Sequence, residues 1–147
     1  MSPHVLIVAC RTAVTPGLLE AVAERAAAGP ARFTLLVPRP CHGLHRVVDP
    51  EDHGWVEAEV VIATALPVLS EATGTPVDGR IGSHDPLAAV LDVLNAERVD
   101  EVIVSTLPAR LSRWLRLDLP AKVAATGVPV TTVTAPSTAP LALAGAR

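Results

Sequence analysis

The sequence predicts a single open α/β domain on a mostly parallel sheet, and three observations carry that expectation. Short, nearly continuous apolar runs recur at Val5–Cys10, Arg32–Val37 and Val102–Ser105, the pattern of strands covered on both faces. Stretches with apolar residues at helical spacing separate them, joined mostly by short turn-forming segments. The 147 residues, 50% hydrophobic and only 2% aromatic, are enough for one aliphatic core and short for two.

The elements follow in order. After the first strand, Arg11 to Val14 makes a loop, and Thr15-Pro16 reads as an N-cap followed by proline at the first helical position. Leu18, Leu19, Val22 and Ala26 recur at helical spacing until Gly29-Pro30 stops the element. Arg32 to Val37 is the second strand, ended by Pro38 and Pro40. Residues 39–54, rich in Pro, Gly, His and acid, read as an irregular loop. Glu57 to Ala72 is helical, with Pro67 inside, so this helix is expected to be kinked or divided near Ala63 to Leu66, and two short helices are the alternative. Val77 to Ile81 gives a third strand whose Asp78 and Arg80 suit an edge. Asp85-Pro86 restarts a helix with a capping carboxylate, and Leu87, Val90, Leu91 and Leu94 form its stripe. The apolar run of the fourth strand, Val102 to Ser105, argues a central position. A loop over 105–117 leads to Asp118, expected to cap a last helix through Ala125 with Leu119 and Val123 facing the sheet. Val128 to Thr134 is the fifth strand, high in Val and Thr as an edge or subunit-pairing strand would be. The domain therefore spans residues 1–134, and 135–147 reads as a frayed tail.

Charge and hydropathy exclude several classes. A formal net charge of -3 gives no electrostatic reason to expect nucleic acid or an anionic membrane as partner. The apolar runs are broken by Arg, Pro or Asp well short of the roughly 20 residues a bilayer requires. No basic region precedes Val5, so secretion is not expected and a cytoplasmic protein fits best. Cys10 and Cys41 form no CxxC pair; they follow neighbouring strands and could bridge, but in a reducing cytoplasm the ordinary reading is two semi-buried thiols.

Several stretches taken together resemble the universal stress protein family, most closely its small divergent members from high-GC bacteria. Gly82-Ser83-His84-Asp85-Pro86 is similar to the family's Gly-Asp-Pro turn opening the third helix. Val99-Asp100-Glu101-Val102-Ile103-Val104 is similar to its Asp-x-Ile-Val-Val strand, and Leu111-Ser112-Arg113 through Gly127-Val128-Pro129-Val130 to its closing segment. The resemblance runs from the first strand to Val133. It implies a UspA-like, Rossmann-like fold of the adenine nucleotide alpha hydrolase type: strand order 3-2-1-4-5, helices on both faces, a nucleotide crevice between strands 1 and 4, and a homodimer through strand 5. Members that bind ATP carry Gly-x-x-Gly after strand 4, a later Gly-Ser or Gly-Thr, and an aspartate ending strand 1. Here Val104 or Ser105, Leu107 or Pro108, and Leu117-Asp118 stand at the glycine positions, and Cys10 or Arg11 at the aspartate. Pro108 has no N–H to offer a phosphate, Leu107 adds a side chain, and Asp118 would set its own carboxylate in the anion's place.

The expected function is accordingly a non-enzymatic homodimer that acts through protein association or small-ligand sensing, with no cofactor. The alternative is a divergent ATP or AMP binder, in which Ala9, Cys10 and Val37 surround the base while Ser105, Thr106 and Arg113 address ribose or phosphates. Arg110, Arg113 and Arg116 form one modest basic cluster that could partly replace the glycines. No nucleophile has a base at defined spacing, and Ser105 or Thr106 with His84 is only a geometric possibility. His42 and His45, three apart, could meet one metal with Cys41, Asp49 or Asp52, against the ordinary reading of solvated loop histidines; no metal is expected. Trp55 and Trp114 read as lid or core residues, and Asp85 as a cap.

Overall fold

The computed structural model describes residues 2–39, 50–108, 113–116 and 118–135. They form β1 (His4–Val8), α1 (Pro16–Ala28), β2 (Arg32–Pro38), α2 (Pro50–Thr73), β3 (Val77–Gly82), α3 (Pro86–Ala96), β4 (Glu101–Thr106), α4 (Arg113–Arg116), α5 (Leu119–Ala124) and β5 (Val130–Thr134). The sheet is parallel at every pairing, in the order β3-β2-β1-β4-β5. The expected doubly covered sheet is present, with its third strand at one edge and its first and fourth strands inside.

Strand alternation divides the core in two. Val5, Ile7, Phe33, Leu35, Val37 and Ile103 face α1 and α2. Leu6, Val8, Leu36, Val102 and Val104 face α3 and α5, through Ala89, Val90, Val93, Leu119 and Val123. Because side chains alternate with period two, a strand buried on both faces must be apolar throughout, as β1 is after His4. Gly82 sets how closely α3 approaches: a Cβ there would lie 2.5 Å from the Ala89 Cβ and 3.0 Å from the Leu36 Cδ1.

Several local expectations are corrected. Residues 50–54, read as loop, are the first turns of α2, which runs unbroken past Pro67. Buried Ala65 and Leu69 hold the helix down on either side of the proline, while Pro67 itself is exposed, so the single lost hydrogen bond faces water. Within the expected 105–117 loop, Arg113–Arg116 form the short α4. β5 begins at Val130, two residues later than expected, and β1 ends at Val8. Thr15 stands at the N-cap of α1 without a side-chain cap; its hydroxyl donates instead to the Thr12 carbonyl at 3.1 Å. Asp118 likewise makes no side-chain cap to α5, because its left-handed backbone (φ 61°) places it outside the usual cap geometry.

The amino end of the sheet is pinned by polar contacts. His4, 1% exposed, donates its backbone N–H to Asp100 Oδ2 at 2.8 Å, and its ring joins the Arg98 carbonyl through Nδ1 (3.0 Å) and Thr34 Oγ1 through Nε2 (2.8 Å). Glu97 pairs with Arg80, and Arg25 with Glu101 at 2.6 Å, so β3 is tied to the end of α3 and α1 to the start of β4. The His4 N–H, and secondarily Arg98, hold the Asp100 carboxyl below the usual carboxylate range.

Asp85 Oδ1 accepts from the N–H groups of Leu87 (3.0 Å) and Ala88 (3.5 Å), so Asp85→Ala is expected to cost about 1 kcal/mol in urea denaturation. Asp100 has a folded pKa below its unfolded one, so its contribution is full above the unfolded value and is lost as pH falls through the folded value. Asp100→Asn should flatten the loss of stability between about pH 5 and pH 2; an unchanged acid limb would assign that loss to other carboxylates.

Candidate functional site

In an open parallel sheet the crevice lies beyond the carboxyl ends of the strands, where the order reverses. Here that point falls between β1 and β4. β1 pairs with β2 on one side and β4 on the other, so the chain leaves these neighbouring strands toward different helices.

The structure gathers most of the predicted site residues at this place. Ala9 and Cys10 continue β1, with the Ala9 N–H donating to the Leu36 carbonyl at 3.2 Å beside Val37. Ser105 and Thr106 end β4 and are buried. Arg113 opens α4, and its side chain is outside the described residues, as are Arg110, Ser112 and the side chain of Arg116.

At the switch point is a pair of buried hydroxyls, of which sequence reading singled out only one. Thr12, assigned there merely to a loop, brings its Oγ1 to 2.6 Å from Ser105 Oγ, and Ser105 Oγ also donates to the Thr12 carbonyl at 3.4 Å. The signal available was a hydroxyl residue shortly beyond a buried strand, in a loop that must cross the neighbouring strand's end. Thr106 turns the other way and donates to the Leu107 carbonyl at 2.9 Å. The carbonyl of Thr106 accepts from the N–H of buried Ala135 at 2.8 Å, which extends the β4–β5 pairing by one bond.

Other candidates fall elsewhere. His84 is exposed beyond β3, an edge strand separated from β4 by β2 and β1, or about 14 Å at ordinary strand spacing, and Ser105 has its hydrogen bonds with Thr12. Cys10 is disulfide-bonded, which corrects the reading of it as a reduced thiol; the other cysteine in the sequence, Cys41, lies outside the described residues. His42, His45 and Asp49 also lie outside them, as do the side chains of Asp52, His53 and Trp55. Among the described residues no group of three or more His, Cys, Asp or Glu could hold a metal ion. Trp114 is half-buried and packs on the α3–α5 side of the core, the core role expected of it.

The groups present fit an adenine nucleotide only in part. Ala9 and Val37 are apolar but fully buried, and the hydroxyls of Thr12, Ser105 and Thr106 are buried and hydrogen-bonded within the protein. A triphosphate needs converging backbone N–H groups, and here Leu107 and Pro108 follow β4 directly. Asp118 adds an exposed carboxylate at the entry to α5, although it does not fill the helix terminus as the sequence suggested.

The sequence matches no family model, and no curated protein matches it significantly. Solved structures do. A universal stress protein from Archaeoglobus fulgidus superposes with a TM-score of 0.64 at 12% identity, over 90% of this chain and 94% of that one. A universal stress protein from the same organism, in complex with dAMP, gives 0.61 at 16% identity over 90% and 98%. A third, in complex with cAMP, gives 0.59 at 18% identity over 91% and 97%. The fold is that of the universal stress proteins.

The hydroxyl pair gives a sharp test. Ser105→Ala strands the buried Thr12 hydroxyl and is expected to cost about 1–3 kcal/mol, while replacing both partners by Thr12→Val with Ser105→Ala should cost less than the two single changes added. Additive losses in a urea double-mutant cycle would show that the two hydroxyls do not interact.

Proposed function

We propose that this chain is a divergent universal stress protein that works without catalysis, as a homodimeric sensor of a small ligand whose crevice accepts an adenine nucleoside or mononucleotide rather than ATP. The observation that carries the reading is the Thr12–Ser105 hydroxyl pair at the β1/β4 crossover, with Leu107 and Pro108 immediately after it, where a triphosphate would need converging backbone donors. The dAMP and cAMP complexes of proteins sharing the fold support the adenine part of the proposal. Among the described residues Ser105 lacks the base that acyl or phosphoryl transfer would ask of it, which supports a binding role.

Dimerisation through β5 belongs to the same reading. Among the described residues β5 pairs with β4 alone, which leaves its other edge open to a second strand, and Thr131, Thr132 and Thr134 are exposed. Among the described residues no helix is long and apolar enough to cross a membrane.

Calorimetric titration with AMP, cAMP, ADP and ATP, with and without magnesium, tests the ligand class. AMP or cAMP should bind and raise the melting temperature, and the added phosphates of ATP should bring no further gain. Tighter binding of magnesium-ATP than of AMP would overturn the proposal, as would no stabilisation by any of the four; light scattering showing a monomer at micromolar concentration would remove the dimer.

A further inference from the structure

The outer face of α2 carries a feature that neither the fold nor the crevice uses. The inner face of this helix is satisfied by Ala58, Ala65 and Leu69, all buried under α1 and the sheet. Outside, Val56 is 53% exposed, Val60 58% and Val68 37%, and Ala63 and Pro67 are exposed with them. Val56, Val60, Ala63 and Pro67 follow one another at spacings of four, three and four, the interval that keeps apolar side chains on a single seam toward another helix. The seam is a stripe three turns long, where a solvated helix would carry charge.

Its surroundings state the chemistry of what would cover it. From Pro50 to Thr73 the sequence has Glu51, Asp52, Glu57, Glu59 and Glu71, and neither lysine nor arginine. Glu59 and Glu71 are exposed beside the stripe. An apolar seam with acids at its margins complements a surface that is aliphatic and cationic. A second α2 would bring acid against acid.

We propose that α2 receives an amphipathic helix of a partner protein, with aliphatic residues at matching spacing and Lys or Arg along their margins. Fluorescence anisotropy with a labelled helical Leu/Lys peptide of about 18 residues, and a scrambled peptide of identical composition, tests this. The intact protein should prefer the amphipathic peptide by about tenfold. Val60→Glu should abolish that preference, Glu59→Lys with Glu71→Lys should weaken binding more at low salt than at high salt, and Asn95→Glu, on the exposed face of α3, should change nothing. Far-UV circular dichroism checks that each variant keeps its helix content. Equal binding of both peptides would reduce the effect to net charge and overturn the proposal. An unaffected Val60→Glu would overturn it too, and so would a dimer that Val60→Glu dissolves in sedimentation velocity, since the seam would then belong to a second copy.

Discussion

Burial of β1 on all four sides is the constraint on which the rest of the molecule depends. Val5, Leu6, Ile7 and Val8 have no exposed surface, β2 and β4 take its two hydrogen-bonding edges, and helices cover both its faces. A strand in that position must be satisfied by its own backbone pairing and by apolar neighbours, which explains why the one polar side chain in it, His4, has a partner at each ring nitrogen. It also fixes where ligand chemistry can occur. Once β1 is sealed along its length, polar groups can gather only where it ends, and there Thr12 meets Ser105 across to β4.

The crevice and the shared fold pull the functional reading in one direction and the residues pull it in another, and the two are reconciled by considering the parts of a nucleotide separately. A base asks for an apolar wall and backbone edges, a ribose for hydroxyl partners, and a triphosphate for several convergent N–H donors. Ala9 and Val37 are apolar and Thr12 and Ser105 bring two hydroxyls to the switch point, all of them buried, while Leu107 and Pro108 follow β4 where a triphosphate would need backbone donors.

Much of the architecture was legible because burial leaves a direct imprint on sequence. The unbroken apolar runs of β1 and β4 marked the interior strands, the Asp78 and Arg80 of β3 marked an edge, and Asp85-Pro86 marked the start of α3, where the cap forms as read. The failures are equally physical. Thr15 and Asp118 are residues of the right type in the right place for caps, but a cap depends on backbone angles that tertiary contacts decide, and Thr15 found a nearer carbonyl while Asp118 turned left-handed. Pro67 did not divide α2, since two buried residues outweigh one hydrogen bond lost toward solvent. Thr12 escaped notice because its significance lies in a neighbour 93 residues away, a distance no local pattern reports.

The two ends of the sheet differ in what can be attached to them. Pro3 is fastened at the amino end, where its carbonyl accepts from Arg32 at 2.8 Å, while Ala135 emerges at the opposite end with its N–H on the last residue of β4. Anything joined after Ala135 therefore begins its path at the rim of the crevice, whereas anything joined before Pro3 begins a full strand length away. A fluorophore or affinity handle joined ahead of Pro3 therefore starts from the end of the sheet opposite the switch point.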